Sequence, residues 1–115
     1  MKVLVVEDNE RNFKLARDVL SHAGCDVVGA GSGEEALGLA AGVDVILMDI
    51  NLPGMNGLEA LAALRAAGVS VPVAAFTAHA MYDDRDRLLA AGFDGYIEKP
   101  VDVRALPGQV QALLS

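Results

Sequence analysis

Apolar residues in this chain come in short unbroken runs, separated by stretches where they recur every three or four positions. Val3 to Val6, Val45 to Met48 within the stretch Asp44–Asp49, and Val71 to Phe76 show no alternation. That pattern predicts strands covered by helices on both faces of a parallel sheet. Asp26 to Ala30 is less apolar and predicts a second strand nearer an edge, and Phe93 to Ile97 supplies a fifth. Helical spacing fills the intervals. Asn9 can cap a helix that turns Phe13, Ala16, Leu20 and Ala23 inward, leaves Lys14, Arg17 and Asp18 outside, and ends at Gly24. Ser32 with Glu35 forms a capping box that opens a helix to about Ala41, closed by Gly42. Leu58, Leu61, Ala62 and Leu64 mark a third, ending at Gly68. A fourth covers roughly Met81 to Ala91, and its charge run from Asp83 to Arg87 reads as a solvated face. Asp102 can cap a turn, and Pro107, suited to a first helical position, starts a short last helix to Leu114.

Five strand-then-helix units predict an α/β fold: a doubly wound, five-stranded parallel sheet with right-handed crossovers. The whole chain, 1–115, reads as a single domain with no output domain attached. In the strand order 2-1-3-4-5, strands one, three, four and five are contiguous. Every strand but the second then delivers chemistry at its C-terminal tip, the edge where ligands bind in open α/β sheets. Glu7 and Asp8 follow the first, Asp49 ends the third, Thr77 the fourth, and Lys99 follows the fifth.

Charge and composition narrow the class. A net charge of −7 argues against gripping nucleic acid or an anionic membrane, whose phosphates would repel it. The lone cysteine, Cys25, excludes an internal disulfide and suits a reducing compartment. The start reaches Glu7 after four apolar residues, too few for a secretory signal, and no stretch has membrane-spanning length. A cytoplasmic domain is expected. His22 and Cys25 read as structural.

Taken singly, Glu7 and Asp8 serve equally well as helix-start acids, Thr77 as a helix cap and Lys99 as a surface lysine. Their convergence on one edge points elsewhere. Three carboxylates repel one another and call for a counter-ion, and Mg²⁺ takes one or two carboxylates while keeping several waters. Lys99 adds a point charge suited to a phosphoryl oxygen, and Thr77 a hydroxyl. Asp49 can then act as a nucleophile that forms an acyl phosphate.

The strings Glu7-Asp8-Asn9, Asp49 with Pro53 and Gly57, Thr77-Ala78 and Lys99-Pro100 resemble the response-regulator receiver domain, the CheY-like (βα)5 fold. The resemblance covers the full length. It implies the sheet order 2-1-3-4-5 and phosphoryl transfer to Asp49 from a histidine kinase or histidine phosphotransfer protein. It further implies Mg²⁺ on Asp8, Asp49 and the backbone carbonyl of Asn51, with Glu7 acting through water. Thr77 and Lys99 would bind the phosphoryl group, Pro100 would follow a cis bond, and Tyr96 would switch with Thr77. His79 and Asn51 would tune phosphoryl lifetime. The protein would be a signalling phosphoacceptor rather than an enzyme, handing its signal to a protein that docks on the fourth helix, fifth strand and last helix. The strings around Asn9 and Thr77 are similar to stand-alone DivK-type receivers; hybrid histidine kinases and multidomain regulators carry similar modules. A haloacid-dehalogenase-type phosphatase also uses Asp, Mg²⁺, Thr and Lys, but wants a second Asp where this chain has Asn51. A binding-only relative that never takes phosphate is a further alternative.

Overall fold

A computed structural model of the chain describes residues 1–78 and 82–114, with residues 82–84 described for their backbone alone. Strands and helices alternate: β1 (Lys2–Val6), α1 (Glu10–His22), β2 (Asp26–Ala30), α2 (Gly33–Leu39), β3 (Val45–Asp49), α3 (Gly57–Ala66), β4 (Val73–Thr77), α4 (Tyr82–Ala90), β5 (Gly95–Glu98) and α5 (Leu106–Ala112). The strands pair in parallel in the order β2-β1-β3-β4-β5, the doubly wound sheet that the pattern predicts.

Successive side chains of each strand enter two separate cores. Leu4, Val6, Ile46, Met48, Val73 and Ala75 pack with Ala36, Ala60, Leu61, Leu64 and Leu88 of α2, α3 and α4. Val3, Val5, Val45, Leu47, Ala74 and Phe76 pack with Ala16, Leu20, Leu106 and Val110 of α1 and α5. Burial on both sides is why these strands show no polar alternation. β2, at the edge, is only half buried.

Local chemistry sets the element ends. Asn9 Oδ1 accepts the Asn12 N–H at 3.0 Å, and Ser32 Oγ accepts the Glu35 N–H at 3.1 Å. The expected box at Ser32 is only half formed, because the Glu35 carboxylate takes the N–H of Gly31 at 3.0 Å, just past the end of β2. A reciprocal box stands instead at Asn56 and Glu59. In α3, Leu58 and Ala62 are exposed rather than buried; the face toward the sheet is Gly57, Ala60, Leu61 and Leu64.

β4 and β5 start two residues later than the apolar pattern predicts, at a place where the side chains of Arg65 and Asp94 bond the chain. Arg65 donates to the carbonyls of Val69 and Val71 at 2.9 and 2.8 Å and to Asp94 Oδ2 at 3.0 Å. That Asp94 oxygen also accepts the Val73 N–H at 2.8 Å. Side-chain bonds thus reinforce the residues ahead of Val73 and Gly95, where the backbone adds the bonds from Ile46 N–H to the Pro72 carbonyl and from Asp94 N–H to the Val73 carbonyl. At the other end of the chain, Asp102 Oδ1 accepts the N–H groups of Arg104 and Ala105, and α5 begins at Leu106 with Pro107 in its first turn.

Register aligns the opposite edge. Val6 lies beside Met48, Asp49 beside Phe76, and Thr77 beside Glu98. The residues that end or follow these strands therefore meet at one rim.

Candidate functional site at the strand tips

Glu7 is fixed by its backbone, whose N–H donates to the Ala30 carbonyl at 2.9 Å. Its side chain turns inward, and Oε1 accepts the Asn9 N–H at 3.0 Å. Asp8 stays exposed, while Asp49 is buried at the tip of β3 with Oδ1 accepting the Asn51 N–H at 3.0 Å. Glu7, Asp8 and Asp49 each offer a carboxylate oxygen, all within 4.8 Å of one another. Lys99 completes the group. Its backbone N–H donates to the Thr77 carbonyl at 2.8 Å, which ties the segment after β5 to the tip of β4. Its Nζ lies 2.5 Å from Glu7 Oε2 and 3.3 Å from Asp49 Oδ1. The ammonium also stands over the ring of Phe76, 4.9 Å from the centroid.

Burial pushes the Glu7 carboxyl above its ordinary value, and the charge of Asp49 adds to this. The Lys99 ammonium and the Asn9 N–H pull the other way without cancelling it. Three carboxylates against one ammonium leave an excess of two negative charges when all are ionised. All the donors are hard oxygens, and the exposed Asp8 leaves one side open to water. This donor set fits Mg²⁺, which prefers carboxylate oxygens and retains water ligands. Receiver domains typically bind Mg²⁺ through such acidic residues.

The approach of α3 sets where Asp49 sits. A Cβ added at Gly57 would stand 2.4 Å from the Asp49 carbonyl oxygen and 2.8 Å from the Ile50 Cα. Both are backbone atoms, which cannot swing aside. Gly57→Ala is expected to lower stability by about 1–3 kcal/mol in urea unfolding, as overpacked cores do, and to weaken Mg²⁺ binding by displacing the strand tip. Unchanged stability with unchanged Mg²⁺ affinity would show that the tip yields freely.

The other candidates distribute as follows. Thr77 is buried at the end of β4, on the same rim. Asn51 is exposed just past Asp49. The Lys99–Pro100 peptide bond is cis. Tyr96 is half buried on β5 and is not part of the carboxylate cluster; the Arg85 guanidinium of α4 lies over its ring, 4.7 Å from the centroid. His79 lies outside the described residues. Two residues escaped the sequence reading. Phe76 looked like one more core residue in an apolar run, and Arg85 like one more charge on a solvated face; no spacing rule marks either as a cation–ring pair.

A family model described as the response regulator receiver domain matches residues 3–111. The chain is 44% identical over 105 residues to the polar-differentiation response regulator DivK of Brucella ovis, covering 88% of this chain and 85% of that protein. It is 40% identical over 116 residues to hybrid signal transduction histidine kinase I of Dictyostelium discoideum, but spans only 7% of that protein's length while 91% of this chain is covered. The chemotaxis response regulator CheY4 of Vibrio cholerae superposes with a TM-score of 0.90 at 32% identity, covering 98% of each chain. Neither the matched family nor these relatives are haloacid-dehalogenase phosphatases, in keeping with Asn51 in place of a second Asp. Sheet order, site and relatives agree: the chain belongs to the response regulator receiver domain family of two-component systems.

Proposed function

We propose that Asp49 is the phosphoacceptor and that the chain works as a phosphorelay switch, taking its phosphoryl group from the phosphohistidine of a kinase or phosphotransfer protein. The observation that carries this reading is the meeting of Glu7, Asp8, Asp49 and Lys99 within one cluster at the tips of β1, β3 and β5. A carboxylate oxygen of Asp49 attacks phosphorus, the bond from phosphorus to the imidazole nitrogen breaks, and the departing imidazole keeps that electron pair. The Asn51 N–H holds the Asp49 carboxylate in place during the approach. Lys99 and the Thr77 hydroxyl receive the phosphoryl oxygens as charge spreads over them. Asp8, Asp49 and the Asn51 carbonyl would hold Mg²⁺, with Glu7 acting through water, and the ion would supply neutralisation of charge shared between carboxylates and phosphoryl oxygens. Asn51 and His79 flank this site in sequence and are assigned to phosphoryl lifetime.

Output is assigned to the face made by α4, β5 and α5. Arg85, Leu89, Tyr96, Glu98 and Gln109 line a groove there, and β5 leads directly to Lys99. Tyr96 is the residue proposed to follow Thr77 when the phosphoryl group arrives. A downstream protein, rather than nucleic acid, suits a chain of net charge −7. None of the described helices is long and apolar enough to cross a membrane, and the reading places the domain in the cytoplasm alongside kinase catalytic modules.

The test is incubation with acetyl phosphate and Mg²⁺, followed by intact-mass and peptide mapping. One added phosphoryl group on the peptide bearing Asp49 is expected. Label on another residue, or none, would refute the assignment.

Metal binding carries a pH signature. Folding disfavours ionised Glu7, so its contribution to metal-free stability is full below its unfolded pKa and lost as pH rises through the raised folded one. Mg²⁺ needs the ionised form. The rise in melting temperature produced by Mg²⁺ is therefore expected to be small near pH 4 and to grow toward about pH 7. An increment that does not change with pH would separate Glu7 from the metal.

A further inference from the structure

Among the described residues, three groups neighbour Lys99 Nζ: Glu7 Oε2, Asp49 Oδ1 and the ring face of Phe76. Two of the three are carboxylates that the functional reading assigns to metal binding, so a cation at that site competes with Lys99 for them. The ring is the neighbour for which no metal competes. Phe76 is fully buried at the penultimate position of β4, beside Asp49 in the strand register. It sits in the core between the sheet and α1 and α5, and cannot follow the ammonium outward. Lys99 itself is mostly buried, its side chain 12% exposed, so the ring attraction acts where water screens it weakly.

We infer that Phe76 is a positioning residue for Lys99: its ring face keeps the ammonium at the strand tips once metal has drawn off Glu7 and Asp49, so that it meets the incoming phosphoryl group already in place. The inference rests on the reading of Lys99 as a phosphoryl-binding group. It gives the fourth strand two duties at adjacent positions, the ring of Phe76 under the lysine and the phosphoryl contact proposed for Thr77.

The test separates the ring's electrostatics from its bulk. Pentafluorophenylalanine placed at position 76 keeps the shape and reverses the charge on the ring face; Phe76→Leu removes the ring. Lys99 Hε protons over a ring face resonate upfield, which NMR reads in the full chain saturated with Mg²⁺ and without any phosphoryl donor. That upfield shift is expected to persist in the parent when Mg²⁺ is added and to be lost in both variants. Affinity for beryllofluoride in the presence of Mg²⁺, measured by titration, is expected to fall about three- to tenfold in both, with Mg²⁺ affinity itself within about twofold of the parent. Loss of the upfield shift when Mg²⁺ is added to the parent overturns the inference, as does parent-like beryllofluoride affinity in the fluorinated protein. Failure of the parent to label at Asp49 would instead overturn the phosphoacceptor reading, while the ring-current shift still decides where Lys99 is held.

Discussion

Asp49→Asn is expected to take up no phosphoryl group from acetyl phosphate and Mg²⁺ under conditions that label the parent, with incorporation at the background of the assay. The substitution is close to isosteric, and the amide oxygen can still accept the Asn51 N–H that Asp49 Oδ1 accepts at 3.0 Å. What it removes is the anionic nucleophile and one of the three carboxylates that crowd the rim. The charge of Asp49 is among the causes that raise the Glu7 pKa, so its loss leaves Glu7 easier to ionise beside Lys99. Metal-free melting temperature should therefore hold or rise, while the added stability from Mg²⁺ shrinks. EDTA should abolish labelling of the parent by a separate route, since the nucleophile is then intact. Labelling of the variant at the parent's rate would sink the phosphoacceptor assignment.

Lys99→Met is expected to give the second large effect, this time on stability. Methionine keeps an apolar stem to lie against Phe76 and deletes the charge alone. Glu7 then keeps a nearly buried carboxylate whose Oε2 has lost the ammonium that meets it. Breaking a buried pair from one side usually costs roughly 3–5 kcal/mol. Here the loss should be smaller, about 1–3 kcal/mol near neutral pH, because Glu7 can take up a proton instead of remaining a bare charge. The sign follows from the lysine's effect on Glu7. Lys99 lowers its pKa, so removal raises the folded value further, and the loss grows as pH rises through that value and shrinks below it. Urea unfolding at about pH 5 and about pH 8 would show the difference, with Mg²⁺ recovering part of the loss at the higher pH. Equal stability of parent and variant at the higher pH would mean that the pair is worth nothing to the fold.

Much of this was legible in the sequence because the inner strands β1, β3 and β4 are buried on both faces and so had to be apolar along their length. Val3–Val6 and Val45–Met48 could be read as strands without any tertiary information, and their polar successors marked the rim. Boundaries were less legible where a distant group intervened. Nothing near Val71 or Phe93 announces that Arg65 will take the carbonyls of Val69 and Val71, or that Asp94 will bond Val73. The phase of α3 was misjudged for a related reason: small residues, Gly57 and Ala60, face the sheet where close approach matters more than hydrophobicity. At the site, residue types and order pointed to phosphoryl chemistry. The pairing of Lys99 with Glu7, and its perch on Phe76, depend on four strands, β1, β3, β4 and β5, coming side by side and have no one-dimensional trace.

Arg65 and its bonds to Val69, Val71 and Asp94 sit at the end of the sheet opposite Asp49. Val73 and Thr77, at the two ends of β4, are four residues apart, a separation of about 13 Å in an extended strand. Groups that far apart with no shared partner act independently to within a few tenths of a kcal/mol. The seam that fastens β4 to β5 and the rim that handles charge are thus thermodynamically uncoupled ends of one sheet. Substitutions at Arg65 or Asp94 can raise or lower the unfolding free energy of the domain without retuning its chemistry, and the rim can be recast for a different partner while the fold keeps the same margin.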